Sequence, residues 1–351
     1  MSTVPQNDSQ KAPKSSKFVV VMRKIYRPLG FQKGYNFPLF VIFAGAMMGF
    51  TLARLSYLNV GGSAPSSYRN STVPKEWHNF KDGYRRIGLT LHLATCLPLG
   101  FLMVWQFIPV IRHKFLTFHR INGYVILLLI VLSNVGALMI ARVAFGGTLD
   151  IQSAVGVLAI LTSVSAWMAY YNVKRLQMDQ HRAWMLRCMF YLGTIITARI
   201  IMIIAALIIS STKKYYGLQS CDQIAAAYDA VQEALENYPA CANVSGDTLV
   251  IVQASFDSAV TVGTALSLPF GMGVWLATFI HLVGVEIYLG LTPAEGERLR
   301  NVSYQRQLEA GFAHPGSAGL TSDRWGDAPE WKPEAARESA NNKQLSQEGR
   351  K

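Results

Sequence analysis

Six long stretches of this chain carry almost no charge: residues 37–58, 87–111, 121–145, 151–171, 188–210 and 265–291. Crossing a hydrocarbon core of about 30 Å takes about 20 apolar residues in a helix, and each stretch is long enough. The pattern predicts an all-α integral membrane protein with six transmembrane helices. The second and third spans are joined by a short turn, as are the fourth and fifth. They form a central four-helix bundle of two like-oriented hairpins, with the first and last spans flanking it.

The segments between the spans set the orientation. Placing both termini in the cytoplasm puts 23 of the 33 Lys and Arg residues there and only seven on the opposite, lumenal side, which satisfies the tendency of basic loops to stay inside. The remaining three, Arg54, Arg142 and Arg199, fall within spans. The chain divides into a basic cytoplasmic segment (1–36), a membrane domain (37–291) and a cytoplasmic tail (292–351). Composition agrees: 51% hydrophobic residues, 15% charged residues and a mean hydropathy of +0.22 are too apolar for a soluble domain of this length. The net charge of +12 is accounted for by the topology and gives no reason to expect nucleic acid. The chain opens with a polar stretch in place of a cleavable signal, so the first span acts as an uncleaved one. A multi-pass protein of the endoplasmic reticulum, another secretory-pathway membrane or the plasma membrane is expected, with the lipid bilayer as its first partner.

Asn70 and Asn243 begin glycosylation sequons, and both fall on the lumenal side; Asn7 and Asn301 begin two more that this topology leaves unused. Cys221 and Cys241 share one lumenal loop (211–258), where oxidation would join them, while Cys96 and Cys188 lie in or beside helices. The Ala-rich segment 222–238 between the first two reads as one short helix, giving a stapled cap over the lumenal mouth. Residues 18–33 mix apolar side chains with Arg23, Lys24 and Arg27, as an interfacial segment would. The tail is rich in Gly, Ser, Pro and mixed charge and reads as disordered.

The two cytoplasmic turns carry His119-Arg120 and His181-Arg182, each pair just before a span running outward, at an offset of 62 residues. This is a parallel repeat of helix hairpins. Together with Leu91-His92, Gly100, Trp105-Gln106-Phe107, Arg112, Gly123, Trp184-Met185, Arg187 and Arg199, these signatures resemble the predicted multi-pass membrane proteins of domain-of-unknown-function family 2306, over roughly residues 87–210. Tyr124 departs from the pattern, since such proteins often have Arg after the glycine. The resemblance implies the membrane fold and transfers no mechanism. Its fungal members sometimes lie beside secondary-metabolite genes, which implies a fungal source and a place in secondary-metabolite biosynthesis, beside membrane-bound biosynthetic enzymes.

Candidate chemistry rests on the polar residues in and beside the spans. His119, Arg120, His181, Arg182 and Arg187 are expected at one depth on the cytoplasmic rim, where imidazoles and guanidiniums suit a phosphate or carboxylate head group; the same residues also serve as plain topology determinants. Arg199 lies near the bilayer midplane, where a basic side chain costs about 2.5 to 3.5 kcal/mol. Glu286 is the one carboxylate well inside a span, and so is expected to pair with Arg199, with His281 nearby. His92, on an inward stripe with Thr95, Cys96 and Gln106, and His281 are weak candidates for haem ligation, but their depths do not match. No metal site or cofactor is predicted, b-type haem being a minor alternative.

The leading expectation is an accessory or binding protein for a lipophilic, amphipathic small molecule. A b-haem transmembrane oxidoreductase and a structural membrane protein without ligand are the alternatives. The motifs of soluble enzymes, such as C-x-x-C, H-E-x-x-H and G-x-S-x-G, do not occur.

Overall fold

The computed structural model describes residues 16–31, 34–228, 230–317, 319–337 and 339. In chain order the helices are α1 (Lys17–Tyr26), α2 (Asn36–Arg54), α3 (Tyr68–Ser71), α4 (Glu76–Phe80), α5 (Gly83–Trp105), α6 (Pro109–Lys114), α7 (Leu116–Ile140), α8 (Leu149–Lys174) and α9 (Met178–Thr212). Strand β1 (Tyr216–Ser220), helices α10 (Cys221–Ala225) and α11 (Val231–Asn237), strand β2 (Leu249–Gln253), and helices α12 (Ala259–Ser267), α13 (Phe270–Gly290) and α14 (Pro293–Glu309) follow. Among the described residues six spans are long and apolar enough to cross a membrane: α2 with the turn after it, α5, α7, α8, α9, and α12 with α13. Chains of exposed Ile, Leu and Val on them, such as Ile200, Ile203, Ile204, Leu207 and Ile208 on α9, form the surface that faces lipid.

Small residues set the closest helix approach. Gly136 on α7 lies so near α5 that a β-carbon there would come within 2.6 Å of the His92 nitrogen and 2.8 Å of the Gly88 carbonyl oxygen. In lipid, where apolar burial gives helices little reason to associate, such backbone contact supplies the packing energy. The first hairpin, α5 with α7, closes around it. The second, α8 with α9, is joined by α13, which packs along α9 and also touches α8. The last span is therefore an integral part of the second half, where the sequence suggested a flanking helix. One core cluster, including Met47, Leu99, Ile126, Ile130, Cys188 and Met189, ties α2 and both hairpins together.

Several boundaries differ from the sequence expectation. The second span ends at Trp105, because Pro109 opens the separate helix α6 and Pro lacks the N–H that a continuous helix would need. The last span is split at Pro269, and Ser258 caps its first part with a reciprocal capping box. Helix α9 has 35 residues, about 52 Å, so His181, Arg182 and Arg187 lie within it and not ahead of it. The tail also departs from expectation. Residues 293–309 form α14, which docks under the α8–α9 turn: buried Ser303 accepts from the Met178 N–H at 2.7 Å, and buried Gln307 donates to the Arg175 carbonyl at 2.8 Å. Composition suggested disorder, but a few buried polar contacts order this segment. The expectation for residues 340–351, and that for residues 1–15, lies outside the described residues.

The far loop carries the Cys221–Cys241 disulfide, with Cα atoms 5.5 Å apart. The single helix expected over residues 222–238 is two short ones, α10 and α11. The loop also holds an antiparallel pair in which Leu218 faces Ile251. Its inner face buries Val250, Val252 and Gln219 against α12, Gln219 donating to Val260 O at 2.8 Å and Thr264 Oγ1 at 2.6 Å.

Candidate functional site

The disulfide loop and α14 lie at opposite ends of the bundle; they are called here the loop end and the tail end, the latter being the one the basic residues assign to the cytoplasm. Three polar groups stand out: a groove open to the side, the tail-end rim, and a cluster around Arg199 toward the loop end.

The first is a groove of about 650 Å³ between α8, α9 and α13. Ile160, Leu161 and Val164 of α8 form one wall, Trp184 and Tyr191 of α9 the other, and Leu289 and Leu320 narrow the tail end. Ile160 and Val164 are 63% and 48% exposed, so the groove opens sideways toward lipid. Within it Arg187 makes a two-pronged ion pair with Glu286, Nε to Oε1 at 2.6 Å and Nη2 to Oε2 at 2.9 Å. The side chains remain 22% and 53% exposed. The guanidinium also rests 4.7 Å from the centre of the Trp184 ring, whose buried Nε1–H has no acceptor among the described residues. Position 187 is nine residues into α9, so the pair lies about 13 Å along the helix from its first residue.

This corrects two expectations. Glu286 pairs with Arg187, not with Arg199. The reason is reach: both lie toward the tail-end half of their helices, whereas Arg199 lies three further turns along α9. Arg187 accordingly belongs to the groove and not to the rim.

The second group is that rim. His119 and His181 are close enough to interact electrostatically, and both feel Arg112. His181 donates through Nδ1 to the Ala169 carbonyl at 2.9 Å, while the buried Nδ1 of His119 has no partner among the described residues. Arg182 donates to Thr292 Oγ1 at 3.1 Å and lies over Tyr288. Glu295 of α14 is gripped by Arg298 at 2.8 Å; that hydrogen bond, with Arg182 and Arg112 nearby, holds its carboxyl below the usual range. Three guanidiniums thus surround one carboxylate. Arg120 follows His119 on the exposed face of α7.

The third group surrounds Arg199. Its guanidinium lies 4.5 Å from the centre of the Phe145 ring and 5.0 Å from that of Phe270, two rings stacked 4.0 Å apart, and it has no carboxylate ion-pair partner among the described residues. The nearest acid is Glu76 of α4, a residue sequence reasoning missed. Glu76 is 1% exposed and accepts the Phe145 N–H at 3.0 Å, fixing that residue at φ +53°. Burial pushes its carboxyl up to about 7, against the lowering effects of the Phe145 N–H, Lys75 and Arg199. An acid in a loop beside Trp gave no period to read; its only signal was being among so few carboxylates between the spans.

His92 and His281 lie in different helix pairs. His92 Nδ1 contacts Ser133 O at 3.1 Å and Ser133 Oγ at 3.2 Å on α7, and His281 Nε2 contacts Thr197 Oγ1 at 2.8 Å on α9. Asn70 is exposed, but its Nδ2 donates to Ser63 O and Ala64 O, whereas Asn243 is exposed in a left-handed turn at φ +57°.

Six helices among the described residues, each long and apolar enough to cross a membrane, define a multi-pass membrane protein. The model of a family described as "Predicted membrane protein (DUF2306)" matches residues 89–221, the stretch from α5 through α9 that holds both hairpins and Arg187. No curated protein and no solved structure matches the chain.

Proposed function

We propose that the protein is a binding protein for an amphipathic small molecule, held in the groove between α8, α9 and α13 with its head at the Arg187–Glu286 pair and its apolar part along Ile160 and Val164. The supporting observation is the combination of a laterally open apolar groove with an accessible charged pair inside it. Ligand sites are concave and mostly apolar with a few placed polar groups, and this groove has that composition. Because Arg187 and Glu286 satisfy each other, neither is set up to move a proton, which favours holding a ligand over acting on it. An accessory role beside membrane-bound biosynthetic enzymes of a fungal secondary-metabolite pathway accords with such holding.

Filling the groove is the direct test. Native mass spectrometry of wild type extracted from its own membranes should show a retained amphiphile, and Val164→Trp should lose it while keeping its folded yield. Equal retention by both would refute the groove as the site.

A further inference from the structure

We infer that the groove selects a zwitterionic head group: a bilayer phospholipid-type amphiphile whose phosphate meets Arg187 and whose ammonium meets Glu286. The inference rests on the groove being the binding site and adds the class of ligand. The sequence suggested an anionic head among the rim histidines, but the charge inside the groove argues otherwise. Among the described residues Arg187 is the one cation lining the groove and Glu286 the one anion, and they are locked together at 2.6 and 2.9 Å. A bare anion reaching Arg187 meets the Glu286 carboxylate beside it, and a bare cation reaching Glu286 meets the guanidinium. Either one must break the pair or bring an uncompensated charge into the membrane, where a lone charge is costly.

A head group carrying both charges on a short linker escapes this. Its phosphate takes the unused guanidinium N–H groups, since only Nε and Nη2 are committed to Glu286. Its ammonium rests by charge against the outer face of the carboxylate, each oxygen of which accepts from Arg187 only once among the described residues. The 53% exposure of Glu286 leaves room for that contact. The four charges then alternate, and no net charge is added to the site. The tail follows the exposed wall of Ile160 and Val164 into the bilayer, which is why the ligand comes from the membrane and not from water.

The test uses the full chain in maltoside micelles and three probes with one tail: dodecylphosphocholine, dodecyl phosphate and dodecyltrimethylammonium. Binding is read by native mass spectrometry. Wild type should bind dodecylphosphocholine at least tenfold more tightly than either singly charged probe. Glu286→Gln should shift the preference at least tenfold toward dodecyl phosphate, and Arg187→Gln toward dodecyltrimethylammonium. The double exchange Arg187→Glu with Glu286→Arg keeps the pair, and should restore the preference for the zwitterion even if the single variants fold poorly. In phosphatidylcholine nanodiscs the probe should be displaced by the surrounding lipid. A wild-type preference for dodecyl phosphate, or an unchanged order in every variant, would overturn the head-group assignment, and a probe that persists in the nanodiscs would overturn the bilayer source. Binding that is indifferent to these charges but abolished by Val164→Trp would leave the groove standing; binding unaffected by Val164→Trp would sink the groove itself.

Discussion

Glu76 offers a perturbation whose size can be worked out beforehand. In the unfolded chain its carboxyl titrates near 4.5; in the fold, burial moves it to about 7. The folded state therefore holds a proton between these values that the unfolded state has released, so stability is greatest below pH 4.5 and is lost as pH rises to about 7. Moving the carboxyl from 4.5 to about 7 corresponds to roughly 3 kcal/mol, at about 1.4 kcal/mol per tenfold change in proton affinity. The carboxylate keeps the Phe145 N–H in either protonation state, but its second oxygen, Oε1, has no donor among the described residues, so ionisation strands a charge there. His78 in the same helix has the opposite sign: burial lowers its imidazole, which adds stability as pH rises through the ordinary histidine range. Wild type alone thus shows the difference of two trends, and the informative quantity is wild type minus Glu76→Gln.

Thermal unfolding in detergent, followed by a thiol-reactive dye, suits the protein because Cys188 is buried until the bundle opens. From pH 5 to pH 7.5 the melting temperature of wild type should fall relative to Glu76→Gln, with most of the change above pH 5.5. At pH 7.5 the variant should be the more stable of the two. Parallel pH profiles, or a wild type that gains on the variant as pH rises, would refute the reasoning and would mean that Lys75 and Arg199 compensate the ionised carboxyl.

Three further outcomes follow from the geometry. Gly136→Ala should destabilise by about 1–3 kcal/mol, because the added carbon meets backbone of α5 and not a movable side chain; a melting temperature equal to wild type would show that the hairpin relaxes freely. Cys221→Ser with Cys241→Ser should loosen the loop-end cap by about 3 kcal/mol through the freed loop of about 20 residues, seen as faster amide exchange in α10 and β1, and unchanged exchange would refute it. If the loop end is lumenal, glycosidase should shift the mobility of wild type and of Asn70→Gln but not of Asn243→Gln, since the Asn70 amide is engaged by two carbonyls; glycan on Asn301 would reverse the topology.

The spans were legible because each satisfies a requirement that involves no other part of the chain, namely length and apolarity. The disulfide was legible for a similar reason: two cysteines in one short loop have little else to meet. Partner choice inside the membrane was not. Glu286 and Arg199 are the acid and the base deepest in their sequence segments, and elimination paired them. The actual pairing depends on the relative slide of α9 and α13, which sequence periodicity does not encode, and Arg199 found aromatic faces where an acid was expected. The strands were missed because the alternation of β2, exposed Leu249 and Ile251 with buried Val250 and Val252, spans only five residues and follows a loop dominated by short helices. Helix α14 was missed because its burial is polar: Ser303 and Gln307 are fully covered but look like surface residues in a composition count.

The 62-residue offset between the hairpins shows where the two halves part. His119 and His181 correspond, as do Arg120 and Arg182, but Arg187 corresponds to Val125 and Arg199 to Ala137. Val125 is 40% exposed, facing outward where Arg187 faces α13. Trp184, which stacks under Arg187, corresponds to Asn122, whose amide donates to the Leu102 carbonyl at 3.0 Å and so ties its own hairpin together. The first hairpin spends these positions on packing: α5 and α7 cross at Gly88 and Gly136 with no room for a third partner between them. The second hairpin receives α13, which brings Glu286 and leaves a groove beside it. The shared His-Arg pairs therefore belong to what both halves need, a basic end at one membrane surface, while Trp184, Arg187 and Glu286 occur where the halves differ. The two hairpins thus share their basic ends and differ where α13 packs: the first uses these positions for close helix contact, and the second leaves the groove that carries Arg187 and Glu286.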